Sequence, residues 1–294
     1  MSGHPTECNL CGAASADLLI TKDGFHVVRC KGCQLVFVSN PPDDAALSEQ
    51  YSFETGYHSE LAHNPQSVAQ HQREALDNLR RLHEHRRGGT LLDVGCSTGL
   101  FLHAAHQAGW AVKGVEYSAD TAQLARKTYG FDVRTGALGD ADFQGEKFDV
   151  ITLWDVLEHV PDPKQTLRHV LARLADDGLL LIKTPNVSGW FPQLSLRLAP
   201  RLGYWRHPEP PGHLFQFSPQ TLGRMLGETG FESVAVRHGR IPLTYSFGRV
   251  GSWFRSLKWA LYCALFVPLA ILGPYFGAGD DFVVAARKSP RSRR

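Results

Sequence analysis

Two groups of residues in this chain have the types and spacing for chemistry. Cys8 and Cys11 form one C-x2-C pair and Cys30 and Cys33 a second, with eighteen residues between the pairs. Two such knuckles close on one tetrahedral zinc. Gly12 and Gly32 stand beside the pairs, where a knuckle turns sharply. Four thiolates leave no open coordination position, so the metal expected here is structural. It supplies apparent binding energy on the order of 10 kcal/mol to a segment that buries too little surface to fold unaided.

The second group lies in residues 90 to 102. An apolar run ends in Asp93, breaks at Gly95, passes through Cys96 and Ser97, and resumes after Gly99. This reads as a buried strand, a tight turn and a helix start. The glycines admit a ligand close to the backbone, and the new helix directs free N–H groups at it. A pyrophosphate nest needs G-x-G-x-x-G, and the middle glycine is missing here. Glu116 ends the next apolar run, where a carboxylate accepts hydrogen bonds from ribose hydroxyls. The expected ligand carries a ribose and no pyrophosphate.

The elements that must position these groups alternate. After the apolar run 36–42, which stops at Asn40-Pro41-Pro42, residues 43–66 form a long polar loop with Tyr51, Phe53 and Tyr57, a candidate lid. A surface helix is expected over 67–87, with Val68, Leu76, Leu79 and Leu82 on its apolar side. Strands are expected at 91–94, 111–116, 131–134, 148–154 and 179–184, with helices from Gly99 to about Gly109, at 119–129 and at 163–174. Gly178 is read as the stop of the last of these helices. Residues 185–217 read as a substrate-side loop, followed by a helix from Ser218 to Gly230 and strands at 231–237 and 281–287. Such alternation predicts an α/β fold, a Rossmann-like, doubly wound, mostly parallel seven-stranded sheet with a small N-terminal zinc ribbon.

The expected layout is a zinc ribbon at 1–42, a linker or lid at 43–66, a main domain at 67–241 plus 279–288, and an apolar insert at 242–278. In the insert, residues 248–258 place Val250, Trp253, Phe254 and Leu257 on one helical face, and residues 259–279 carry no charge. Pro268 and Pro274 interrupt that stretch. Three readings stay open: a basic amphipathic helix and kinked apolar helix on a membrane surface, burial against the protein or a second subunit, and a true span.

The 294 residues have 43% hydrophobic content and a net charge of +2 from 31 basic and 29 acidic side chains, so no global field favours a nucleic-acid partner. The first residues lack the pattern of an export signal, which leads to an expected reducing cytoplasm, peripheral at the inner membrane face if the insert meets lipid. Six cysteines then read as metal ligands plus strays. The basic stretch 287–294 reads as a solvated end.

At this point the chain resembles a family. Leu91-Leu-Asp-Val-Gly-Cys-Ser-Thr-Gly99 resembles the first motif of class I S-adenosylmethionine-dependent methyltransferases, and Gly114-Val-Glu-Tyr-Ser118 the second. The stretches 148–163, 178–186 and 212–218 are similar to later motifs of members acting on small molecules, and the ribbon resembles one found in some methyltransferases of natural products. The resemblance implies S-adenosylmethionine as cofactor. Asp93, Gly95 and Gly99 would shape the loop at its methionine part, with Cys96 and Ser97 lending backbone groups. Glu116 would hold the ribose and Tyr117 pack near the adenine. Asp142 would face the adenine amino group, with Ala137 and Leu138 as alternative lining, and Trp154 and Asp155 would face the sulfonium. Methyl transfer from a sulfonium is largely in-line positioning, with proton removal when the acceptor is a hydroxyl. His159 and His213 are the candidate bases, with Tyr57 or His58 from the lid, and Glu158 is read as a cap or brace. The expected partner is a small-molecule or lipid-like acceptor. An RNA acceptor and a non-catalytic interaction module are the alternatives.

Overall fold

The computed structural model describes residues 7–43, 65–140, 143, 145–202 and 209–290. The elements follow the sequence pattern with a few instructive departures. Strands β1 (Ala16–Lys22), β2 (Phe25–Cys30) and β3 (Val36–Val38) make an antiparallel meander behind the cysteine knuckles. Helix α1 spans Pro65–His83. Its inward residues are Ala75, Asn78, Leu79 and Leu82, spaced i, i+3, i+4 and i+7. Leu76, expected on that face, is exposed, because it lies about 100° round the helix from Ala75.

Strand β4 (Thr90–Val94), helix α2 (Leu100–Gln107), strand β5 (Ala111–Glu116), helix α3 (Ala119–Tyr129) and strand β6 (Asp132–Thr135) follow in strict alternation. The Ser118 hydroxyl caps α3 by accepting from the Thr121 N–H, and Gly130 at φ 74° closes it. Strand β7 (Phe148–Trp154) leads to helix α4 (Pro163–Arg173), which Asp162 caps through the Gln165 N–H with Pro163 in the first turn.

Gly178 does not stop α4. The helix ends at Leu174, whose extended backbone opens strand β8 (Leu174–Pro185) directly, so Gly178 is a strand residue. Leu174 is fully buried, and its pull into the core ends the helix. A β-carbon on Gly178 would meet the Leu174 side chain at 2.7 Å. The expected loop 185–217 also contains structure: helix α5 (Trp190–Leu202) and strand β9 (Phe215–Gln216). Phe191, Leu194 and Leu198 supply the apolar spacing of α5, masked in the sequence by the surrounding Pro and Gly.

Helix α6 (Pro219–Glu228) and strand β10 (Phe231–Gly239) precede the insert. The insert holds a short helix α7 (Leu243–Phe247), a 3-10 turn at Val250–Ser252, helix α8 (Leu257–Leu272) and a 3-10 turn at Gly273–Phe276. No continuous helix runs over 248–258. The Ser256 side chain accepts from the Trp259 N–H and so begins α8 there. Pro268 sits inside α8 and Pro274 in the following turn. Strand β11 (Asp281–Lys288) ends the described fold.

Two compact units emerge from the chain. One comprises Met1–Pro41, Lys183–Met225 and Ser233–Val284, the other Pro42–Ile182, Leu226–Glu232 and Ala285–Arg294. In the first, β9 joins the meander to give a sheet of order β1-β2-β3-β9, with Val27, Val36, Val187 and Ala199 as its core. The seven remaining strands form a mostly parallel sheet of order β10-β11-β8-β7-β4-β5-β6. The pairs β4–β5, β4–β7 and β5–β6 are parallel. Leu91, Leu92, Val150, Ile151 and Leu153 are fully buried, as parallel strands covered on both faces require.

Candidate functional site

The parallel register brings the ends of β4, β5 and β7 to one edge. At the end of β4 the chain folds back on its neighbour: the N–H groups of Gly95 and Cys96 both donate to the Val115 carbonyl, at 2.8 and 3.0 Å. Gly95, Ser97 and Gly99 all have positive φ, at 75°, 49° and 85°. The Gly95 position also lacks room, since a β-carbon would lie 2.5 Å from a methyl of Val156. Ser97 is the strained member, a non-glycine residue in the left-handed region.

Glu116 holds that strained turn. Its Oε2 accepts from the Ser97 N–H at 2.8 Å and its Oε1 from the Ser118 N–H at 2.9 Å. The carboxylate is 5% exposed, and each oxygen retains a further lone-pair direction. Asp93, buried, accepts from the Thr152 hydroxyl at 2.6 Å, which ties β4 to β7. Burial pushes the Asp93 carboxyl up to about 8, against the Thr152 hydrogen bond and with help from the nearby Glu116 charge. Helix α2 then starts at Gly99 with no side-chain cap on its N–H groups.

A cleft of about 160 Å³ opens at this edge. Asp93, Gly95, Cys96, Ser97, Trp154 and Asp155 of the expected set line it together. The Trp154 ring packs edge-on to Phe101, with centroids 5.3 Å apart, and its buried Nε1 has no hydrogen-bond partner among the described residues. Asp155 has φ 55°, so the turn after β7 is strained like the one after β4. The opposite wall comes from α1 through His71, Glu74 and Asn78, polar residues of a helix whose sequence pattern is that of a surface helix. Their spacing of i, i+3 and i+7 marks a polar stripe on one helical face, and that was the available signal.

The other expected residues lie elsewhere. Tyr117 follows β5 and is half exposed, and Leu138 is buried in the turn after β6, outside the cleft lining. Asp142, Tyr57 and His58 lie outside the described residues. His159, half-buried, sits in the turn after β7 with its N–H donated to the Val156 carbonyl, and Glu158 beside it is buried. His213, also half-buried, donates its N–H to the Glu209 carbonyl in the segment before β9.

In the other unit, Cys8, Cys11, Cys30 and Cys33 place their sulfurs within 4.8 Å of one another. Cys8 and Cys33 are 3.4 Å apart and Cys11 and Cys30 3.5 Å. Tetrahedral thiolates about 2.3 Å from a zinc would stand about 3.8 Å apart, so the set fits that ion with little movement. Gly12 takes φ 74° as expected of a knuckle. In the second knuckle Gln34, at φ 67°, makes the turn instead of Gly32. Gly32 serves close approach, since its β-carbon would lie 3.4 Å from the Cys11 sulfur. Burial raises the Cys8 and Cys33 thiols. At Cys30 burial is outweighed by hydrogen bonds from the Cys33 N–H and the Cys11 side chain, which leave it at about 7.

A parallel sheet with a glycine turn at the end of its first strand and an acid at the end of the second defines a Rossmann-like domain for a nucleoside-bearing cofactor. A family profile described as methyltransferase domain matches residues 68–236, more than half of the chain. The chain belongs to this family, and its fold and motifs are those of a class I S-adenosylmethionine-dependent methyltransferase.

Among curated relatives, the ubiquinone biosynthesis O-methyltransferase of Actinobacillus pleuropneumoniae serotype 5b is 34% identical over 121 residues, covering 38% of this chain and 52% of that protein. The protein of the same name from Idiomarina loihiensis is 31% identical over 157 residues, covering 51% and 64%. The alignments thus span about half the length of the curated relatives. Among solved structures, an S-adenosylmethionine-dependent methyltransferase from Archaeoglobus fulgidus has a TM-score of 0.50 at 19% identity, covering 74% of this chain and 94% of that one. The 4+2 cyclase SpnF also has a TM-score of 0.50, at 17% identity, covering 74% and 81%. These likenesses show the fold, and the pairing of a methyltransferase with a cyclase shows that the fold alone does not name the reaction.

Proposed function

We propose that the protein transfers a methyl group from S-adenosylmethionine to a hydroxyl of a small, lipid-like acceptor, and that Cys8, Cys11, Cys30 and Cys33 hold one structural zinc. The observation that carries the first part is the Glu116 carboxylate, fastened to Ser97 on one side and to Ser118 on the other at the end of β5. That geometry keeps its remaining lone pairs available for a ribose diol. The curated relatives are named as O-methyltransferases of ubiquinone biosynthesis, which supports an oxygen acceptor on a lipid-like molecule.

The cofactor supplies an activated methyl on a sulfonium. The chain's own residues bind, orient and exclude water. Gly95 and Gly99 let the turn take positive φ and pack against Val156 and Tyr129, which shapes the loop for the methionine part, and the uncapped N–H groups of α2 favour a carboxylate there. The Trp154 indole N–H is an unused donor on the same wall, and Glu74 and Asn78 offer polar groups from α1. Glu74 and Asp155 place acidic side chains on the cleft lining, which suits a cationic ligand. His159 and His213 remain the proposed groups for taking the acceptor proton, since a neutral imidazole is suited to that step.

A thermal-shift panel tests the cofactor class. S-adenosylhomocysteine and S-adenosylmethionine raise the melting temperature, and NAD and ATP, whose linked phosphates find no middle glycine, do not. Stabilisation by NAD or ATP with none by either methionine nucleoside overturns this reading.

A further inference from the structure

The insert between β10 and β11 carries an exposed apolar face that the methyl-transfer reading leaves unused. Apart from Lys258 in its first turn, helix α8 carries no charge, and only one side of it is used by the fold. Cys263, Phe266, Val267 and Ala270 pack with Phe191 of α5 and Phe247 of α7. The opposite side presents Leu257, Leu261 and Leu265, which are 77%, 63% and 47% exposed, and Leu272 beyond them. Val250 and Phe254 before the helix and Tyr275 and Phe276 after it extend this surface, all of them mostly exposed. Leu257–Phe276 is apolar enough to cross a bilayer, with mean hydropathy 1.7 over its most apolar 18 residues, yet only 28% of those are buried, so this is not an ordinary core helix.

The charges around this surface have one sign. Residues 233–279 contain five Lys or Arg and no Asp or Glu. Arg249, Arg255 and Lys258 are exposed at the amino-terminal end of α8, and the Arg255 guanidinium stacks over the Trp259 ring at 4.5 Å. Cations and an indole at the border of an exposed aliphatic face match the headgroup level of a bilayer.

A span does not fit. The strands that flank the insert, β10 and β11, are neighbours in one sheet, so both ends of the insert return to the same place. A single crossing would separate them. A second copy of the chain fits less well than lipid, because its own insert offers no acid to meet these cations.

We propose that the outer face of α8 docks this protein on the surface of a bilayer containing anionic phospholipid. The helix lies along the interface, its leucines reaching the acyl boundary and Arg249, Arg255 and Lys258 meeting phosphate. The proposal stands apart from the cofactor reading and rests on a different surface.

The test is flotation of the purified full chain with vesicles of phosphatidylcholine alone and of phosphatidylcholine with phosphatidylglycerol. The protein rises with the anionic vesicles, and high salt reduces this. Leu261→Asp with Leu265→Asp abolishes flotation while leaving the melting temperature unchanged, because both side chains face outward. Arg255→Ala with Lys258→Ala weakens partitioning on the order of tenfold. Full-length protein that stays at the bottom with anionic vesicles overturns the proposal. A dimer in sedimentation that the double aspartate variant converts to monomer, without flotation, overturns it in favour of a second copy.

Discussion

The backbone N–H of Ser97 donates to Oε2 of Glu116 at 2.8 Å, across a turn in which Ser97 itself is held at φ 49°. One carboxylate therefore has two tasks. It offsets the strain of the turn after β4, and under the proposed function it also holds the ribose hydroxyls. The turn is shaped before any ligand arrives, which is the condition for a site whose catalysis is positioning.

Gly114 tests how tightly that turn is seated. A β-carbon there would lie 2.6 Å from the Cys96 sulfur and 2.9 Å from a Leu102 methyl. Gly114→Ala is expected to cost about 1–3 kcal/mol in denaturant unfolding, the usual range for overpacking. Adding Cys96→Ala restores part of the loss. Equal stability of Gly114→Ala and the unaltered chain would show that the turn is not seated on β5.

Asp93 gives the protein a pH signature. Its carboxyl is held near 8 in the fold, mainly by burial, against an ordinary value of 3.8. The folded state thus keeps a proton that the unfolded chain has released. The contribution is complete below pH 4 and is lost as pH rises toward 8. Asp93→Asn retains the oxygen that accepts from Thr152 and removes the titration. Its unfolding free energy should gain on that of the unaltered chain from pH 4 to pH 8, by an amount on the order of a few kcal/mol. A difference that stays constant across that range contradicts the assignment.

For the ribbon, elemental analysis should find one zinc per chain. A chelator that removes it should expose the four thiols to a thiol reagent and melt β1 to β3, seen as lost amide protection there. Cys8→Ser should do the same without chelator. A metal-free protein with full protection in those strands contradicts a structural zinc.

Much of this was legible beforehand, for reasons that differ by element. The bounds of β5, α3 and β7 follow from apolar runs and caps that are local in the chain, Ser118 and Gly130 among them. The four cysteines announce themselves by spacing. Helix α5 and strand β9 were hidden because their apolar residues serve different neighbours: Phe191 meets Phe247 and Phe266, and Phe215 pairs with Phe37 on β3. Gly178 misled because it resembles a helix stop, whereas the burial of Leu174 had already ended the helix. The wall formed by His71, Glu74 and Asn78 was missed because a polar stripe on a helix usually faces water. Only the fold of the main sheet puts it across from the turn.

Calorimetric titration of S-adenosylhomocysteine into the unaltered protein and into Glu116→Ala tests the central claim most directly. Saturable one-site binding to the unaltered protein is predicted. In the variant, loss of two charge-assisted hydrogen bonds to the ribose should weaken it by about a hundredfold. Glu116→Gln, which retains an acceptor for Ser97, should fall between and keep the melting temperature closer to that of the unaltered chain. No heat of binding to the unaltered protein, or equal affinity for the Glu116→Ala variant, would contradict the account.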